Sequence, residues 1–271
     1  MLVNGFKSKA AALRHLRDAG HPIAGLLARP ESNPKVAKNG KVDVLTAPLH
    51  LAPFNLSGFQ VCPQASQGCA AACLHTAGNP AYMAQKEASR ITKTQAYFKD
   101  RDAFMAVLVF EIAALVRKAE KLGMEPGVRL NATSDLPWES RRVHIDGVNY
   151  DLMRYFSDVQ FYDYTKVTKR AIAWASGDMP SNYHLTFSRT EDNDDDVKRV
   201  LEAGGNVTVV MTRSLYKVLA TGGNAMGHWG RSVPVIDGDA HDYRPADPVG
   251  CIVALKAKGD AKADTSGFVL R

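Results

Sequence analysis

The sequence predicts an α/β fold whose parallel sheet closes, fully or partly, into a TIM-like barrel behind an N-terminal extension. Three observations predict it. Short apolar runs of strand length recur from about residue 128 onward, each ending on polar residues. Helix-forming segments lie between several of them, the alternation that builds parallel strands with right-handed crossovers. The chain has 271 residues, ample for a full hydrophobic core.

The elements follow in order. Residues 7–28 read as a short amphipathic helix, and "ARPESNPKVAKNGK" (28–41) has the composition of a loop. "VDVLTAPLHLAPFNLSGFQV" (42–61) holds strand-like pieces broken by Pro48, Pro53 and Gly58. Two helices are expected between about Tyr82 and Gly123. The first is amphipathic and basic; the second is apolar around most of its circumference, as a buried helix is. Strands are expected at 128–133, 159–164, 183–188, 206–212, 232–237 and 251–257, and helices at 138–156, 167–176, 191–203 and 213–220. "EDNDDDVKRVLEAGG" has acids in its first turn and glycines at its stop, so its acid run reads as a solvated helix start. The domain reading is a basic extension over 1–41 and a single barrel domain over 42–271.

Hydrophobic residues make up 45% of the chain and charged residues 23%, ordinary for a globular protein. No window has the roughly eighteen uncharged apolar residues of a membrane span, so no membrane partner is expected. Lys7, Lys9, Arg14 and Arg17 interrupt the start, which does not read as a secretory signal, and a cytoplasmic location follows. The net charge is +6. Much of the excess lies in residues 1–41, where eight Lys/Arg face Asp18 and Glu31. That start reads as a solvated terminus, with a nucleic-acid-binding arm as the functional alternative.

In a parallel barrel the C-terminal strand ends share one face, where active sites are built. Polar residues cluster at these ends within "FYDYTK" and "LTFSRT", which favours a shared pocket for a small-molecule substrate over loops that are merely polar. The candidate catalytic groups are Asn131, Asp135, Asp163, Lys166, Ser188, Arg189, Asp237 and Asp239.

The most specific segment is "CPQASQGCAAACLHTAG" (62–78), which spaces Cys62, Cys69 and Cys73 as C-x6-C-x3-C. Disulfides do not suit the expected compartment. Structural zinc remains an alternative, with Cys251 or His75 as the added ligand, although the six-residue gap departs from the usual knuckle. Three inert buried cysteines do not suit so small and polar a loop. An iron–sulfur cluster does: thiolates from one short loop, with Gly68, Ala70, Ala71 and Ala72 letting backbone N–H groups approach the sulfides. Cys69 and Cys73 stand one helical turn apart. Cys251 opens its strand, at the opposite end of a barrel, and reads as a buried structural residue. Three thiolates then leave one iron open, so [4Fe-4S] is expected, with [3Fe-4S] as the other form.

The cysteine loop, with "VRLNATSDLPWE" and "VIDGDAHDYRPADPVGCIVALKAKG", resembles the gene-product-88 family of bacteriophages, from about residue 43 to the end. The resemblance implies an iron–sulfur protein with a barrel like that of radical-SAM enzymes and a carboxylesterase-like hydrolytic activity in the host cytoplasm. Radical-SAM enzymes use C-x3-C-x2-C and a Gly-Gly-Glu-like segment; here that position reads "NATSD", so SAM is not expected as a cofactor. No G-x-S-x-G elbow is present, which argues against a serine α/β-hydrolase. The readings carried forward are hydrolysis with an open iron as Lewis acid, radical-SAM chemistry, and a non-catalytic redox or nucleic-acid-binding cluster protein. The sequence sets no oligomeric state.

Overall fold

A computed structural model describes residues 1–30, 37–73, 84–220, 229 and 232–271. Its helices are α1 (Lys9–Asp18), α2 (Gln67–Ala71), α3 (Ala84–Lys99), α4 (Arg101–Leu122), α5 (Leu152–Tyr155), α6 (Thr168–Ala175), α7 (Asp194–Glu202) and α8 (Arg213–Leu219). Its strands are β1 (Val44–Pro48), β2 (Glu125–Arg129), β3 (Arg142–Ile145), β4 (Val148–Asp151), β5 (Gln160–Thr165), β6 (Tyr183–Ser188), β7 (Asn206–Met211), β8 (Val235–Asp237) and β9 (Ile252–Lys256). The chain forms two compact units, one of residues 1–63 with 82–162, the other of 64–81 with 163–271.

In the first unit the parallel order is β1-β2-β5, with Val44 beside Glu125 and Gly127 beside Gln160. Gly127 lets β1 approach: a Cβ there would stand 2.8 Å from Thr46 Oγ1. Helix α4 buries Phe104 through Val109 without a break, so its apolar residues meet protein around most of the circumference. It packs on α1, whose Ala12 and Leu16 are fully buried. Ser8 caps α1 by accepting from Ala11 N. Lys9 pairs with Glu111 at 2.6 Å, so the basic start of the chain is folded onto this unit.

Residues 138–156, expected as a helix, instead hold the antiparallel β3–β4 hairpin and only the short α5. The reason is local. Asp146-Gly147 supplies left-handed turn residues, and Val143 and Ile145 face inward while Arg142 and His144 face out, which is strand periodicity.

The second unit has the parallel order β5-β6-β7-β9-β8, to which β5 contributes Asp163–Thr165. The last two strands exchange places, since β9 lies between β7 and β8. Phe187, Val197, Val200, Val207, Val209 and Ile252 form its core, between the sheet and α6–α8. The parallel α/β class thus holds for both units, and within neither does the sheet close on itself among the described residues.

Two imidazoles are built into this fold as neutral groups. His184 stands edge-on to the Trp174 ring at 4.3 Å, and burial, then Arg244, lowers its pKa to about 3. His50, just past β1, is likewise lowered to about 3 by burial and then by Arg90, Arg129, Lys93 and Lys86. The unfolded chain therefore binds these protons more tightly, and the stabilisation is complete above pH 6.5 and lost as pH falls toward 3. Asp247, raised to about 6 by burial, opposes this between 3.8 and 6. Each histidine contributes a slope of up to about 1.4 kcal/mol per pH unit. We expect the urea midpoint to drop between pH 7 and pH 4, and His184→Gln to flatten that drop. An equally steep drop in both His184→Gln and His50→Gln would refute the assignment.

Candidate functional site

In the first unit the residues after β2 anchor Cys62. Asp135 N donates to Val61 O at 2.7 Å, and the Cys62 thiol lies 3.9 Å from Thr133 O. Phe54 N donates to Cys62 Sγ at 3.5 Å. Asn131 organises the turn. Its Oδ1 accepts from Ser134 Oγ and Leu136 N, both at 2.8 Å, and from Trp138 Nε1 at 3.1 Å, while its Nδ2 donates to Leu136 O. These bonds commit Asn131 to holding the loop.

In the second unit the site grows from the end of β6. The turn after Ser188 is closed by Asn193, whose Oδ1 accepts from Thr190 N and whose Nδ2 donates to Ser188 O. Arg189, 6% exposed, grips Asp194 through Nε and Nη2 and donates from Nη1 to Gly267 O and Phe268 O. It ties the start of α7 to the C-terminal segment. The turn aims Glu191 at the cysteine helix. Oε2 accepts from Ser66 Oγ and Oε1 from Gly68 N, both at 2.7 Å. Ser66 in turn caps α2 by accepting from Cys69 N at 3.1 Å. A Cβ at Gly68 would meet Ser266 Oγ and, at 2.8 Å, Glu191 Oε2, so a side chain there would displace both groups.

A cavity of about 440 Å³ lies against α2, lined by Gly68, Ala71, Ala72, Asp264, Thr265 and Ser266 among others. Burial works to raise the Asp264 pKa, but donation from Ser266 and Val269 carries it below the usual range. Cys69 packs partly buried beside Ala72, Ala261 and Phe268.

The other candidates form separate groups. Lys166 Nζ donates to Ser188 Oγ at 3.2 Å. Asp163 is fully buried and accepts from Tyr183 Oη at 3.2 Å, and Arg170 also donates to that phenol. At the ends of β8 and β9, Asp237 accepts from Tyr216 Oη and from Asp239 N, and Asp239 accepts from Lys258 Nζ at 2.6 Å. Lys256 Nζ stands 4.3 Å from the centre of the Tyr216 ring. Burial, then Asp237, pushes the Tyr216 phenol far up, so it is held protonated, a hydrogen-bond donor. Sequence reasoning missed Tyr216, Ser66, Ser266 and Glu191. The acid run containing Glu191 read as a helix start, but the helix begins at Asp194 and leaves Glu191 in the turn.

None of the four cysteines is in a disulfide; Cys62, Cys69 and Cys73 are half-buried. Cys251 is buried ahead of β9, and burial, then Asp247, pushes its thiol up to about 12. Among the described residues no three His, Cys, Asp or Glu side chains are disposed to hold a single metal ion. His75, His228 and the end of the cysteine loop lie outside the described residues. Each unit thus carries thiols outside any disulfide: in the first Cys62, which accepts an amide N–H, and in the second Cys69, on a helix fixed at its start, and Cys73.

Asn131→Ala should cost about 2–4 kcal/mol in urea unfolding, because it strands several buried partners; a loss under about 0.5 kcal/mol would contradict the anchoring role. Glu191→Ala should loosen α2 and speed thiol labelling of Cys69, read by peptide mass spectrometry, with little change at Cys251. Equal labelling rates in variant and parent would contradict the clamp.

No curated protein and no solved structure matches the chain. Residues 26–271 match the family model described as gene product 88, and the chain belongs to that family.

Proposed function

We propose that this chain is an iron–sulfur protein, with Cys62, Cys69 and Cys73 as the cluster ligands, and that it hydrolyses an ester-type small molecule. The observation that carries the reading is the Glu191 clamp, which fixes a thiol-bearing helix beside a cavity large enough for a metabolite. A bound [4Fe-4S] cluster, or its [3Fe-4S] form, would supply an iron with an open position, a Lewis acid. Asp264 and Ser266 offer hydrogen-bonding groups on the cavity wall. Lys166 and Lys258 are the candidate proton donors, and Tyr216 a candidate hydrogen-bond donor. The reading includes the barrel-like closure expected from the sequence; what the parallel strand order in each unit supports is the α/β class. It also takes a reducing cytoplasm as the setting, which keeps the thiols available.

Anaerobic purification should yield brown protein with iron and sulfide, and a visible absorption that bleaches on dithionite. Cys69→Ala and Cys73→Ala should lose it and Cys251→Ala keep it. Colourless protein carrying stoichiometric zinc would overturn the cluster. The iron-loaded protein should turn over p-nitrophenyl acetate and Cys69→Ala should not. Turnover that survives loss of iron would overturn the hydrolytic role, and reductive cleavage of SAM would assign the radical alternative.

A further inference from the structure

We propose that the chain forms a two-fold dimer by pairing the open edge of β4 with the same edge of a second copy, in an antiparallel register centred on Asn149. The proposal concerns the first unit alone and stands apart from the cluster reading.

The small sheet of this unit has one covered edge and one open edge. Residues 2–4 lie along β3: Asn4 N donates to His144 O at 2.8 Å, His144 N donates to Asn4 Oδ1 at 2.7 Å, and Asp146 N donates to Leu2 O at 2.9 Å. On the other side β4 pairs with β3 from Val148 beside Ile145 to Asp151 beside Arg142, and among the described residues no strand lies beyond it. Leu152 N donates to Arg141 O at 2.8 Å, which fixes the alternation of the ladder. Tyr150 and Val148 therefore turn their backbone groups toward β3, and Asn149 turns its N–H and C=O outward. Natural sheet edges are blunted by Lys, Pro or a bulge. Residues 147–150 are Gly-Val-Asn-Tyr, and the register runs through β4 without a bulge.

The side chains match the same edge on a second copy. Val148 and Tyr150 stand opposite Ile145 and Val143, so they share the face on which those two are buried. Yet Val148 is 50% and Tyr150 38% exposed, with the centre of the Tyr155 ring 5.2 Å from that of Tyr150. The apolar face thus runs past the covered part of the hairpin and stops at the open edge. In a pairing centred on Asn149, each Asn149 exchanges two backbone hydrogen bonds with the partner's Asn149, and Val148 meets the partner's Tyr150. A register two residues away would set Val148 against Leu152, which is fully buried at the start of α5. The charges also agree. Asp151 is the one charged residue from 147 to 151, and it meets the partner's Gly147. Arg142 and Arg154 both reach Asp151, at 3.4 and 3.8 Å, so that end of the strand carries an excess of positive charge. The turn end carries Asp146, exposed and 3.9 Å from the Met1 amine, so antiparallel pairing sets no excess positive charge against the first.

Analytical ultracentrifugation of the full chain tests this. The edge is shorter than a standard interface, so Kd should lie at about 10–100 µM, and the mean mass should rise from one chain toward two across that range. Asn149→Pro removes an N–H that the hairpin does not use, and Val148→Lys puts a charge on the edge. Each should weaken association roughly tenfold or more, with Tm recorded to separate any folding loss. The register has its own readout. Residues of a hydrogen-bonded antiparallel pair have Cα atoms about 5.5 Å apart, within reach of a disulfide. Under mild oxidation Asn149→Cys should therefore give a covalent dimer. Neither the parent nor Val148→Cys should give one, since position 148 is offset from its own copy. A chain that stays monomeric up to about 300 µM would overturn the proposal. A dimer that survives both Asn149→Pro and Val148→Lys belongs to another surface and would overturn it too. Cross-linking through Val148→Cys in place of Asn149→Cys would overturn the register.

Discussion

The carboxylate of Glu191 is the contact on which the second unit's candidate site depends. One side chain satisfies the N-cap hydroxyl of α2 and the amide of Gly68 together, so a helix of five residues, too short to persist alone, is held in register with the end of β6. Arg189, its neighbour two positions earlier, fixes the C-terminal segment that forms the opposite cavity wall. A single turn after one strand thereby positions the Cys69 helix and the wall facing it. Gly68 completes the arrangement by leaving room for Ser266 and Glu191, where any side chain would force them apart.

The sequence made the parallel strands legible because their signal is hydrophobic and local. The runs around 160–165, 183–188 and 206–211 are apolar over strand length, and burial at both faces follows directly. The β3–β4 hairpin was misread because its flanks carry helix-compatible residues, and the decisive signal was only an Asp-Gly pair and a short alternation. The start of β2 was hidden by Pro126 and Gly127, residues that lower strand propensity but permit the close approach of β1. For the site, the cysteine spacing was visible, and its support was not. Glu191 lies 123 positions from Gly68, and no local pattern reports a bond formed across that separation.

The strand ends of the two units differ electrostatically, each considered alone. In the first, burial and then Arg90, Arg129, Lys93 and Lys86 hold His50 neutral. In the second, carboxylates and donors are matched: Arg189 with Asp194, Lys258 with Asp239, Tyr216 with Asp237. Net charge alone, +6 for the chain, could not distinguish a concentrated site from a diffuse one. The basic residues of α1 that first suggested a nucleic-acid arm include Lys9, which is spent on Glu111.

The proposed chemistry turns on where a nucleophile would come from. Ser188 accepts a hydrogen bond from Lys166, and an ammonium donating to a hydroxyl oxygen draws electron density away from it. Tyr216 is held protonated by burial and by Asp237, which opposes attack and leaves it a hydrogen-bond donor. Asp237 and Asp239 already accept from neighbouring donors, and Asp163 is enclosed by Tyr183 and Arg170. Each of these groups is arranged to donate a proton or to brace another side chain. Water is then the natural nucleophile for hydrolysis, and water at neutral pH needs a Lewis acid or a general base to become one. The half-buried thiols of Cys62, Cys69 and Cys73 are soft donors, and under the proposed reading a cluster held by them would supply that Lewis acid.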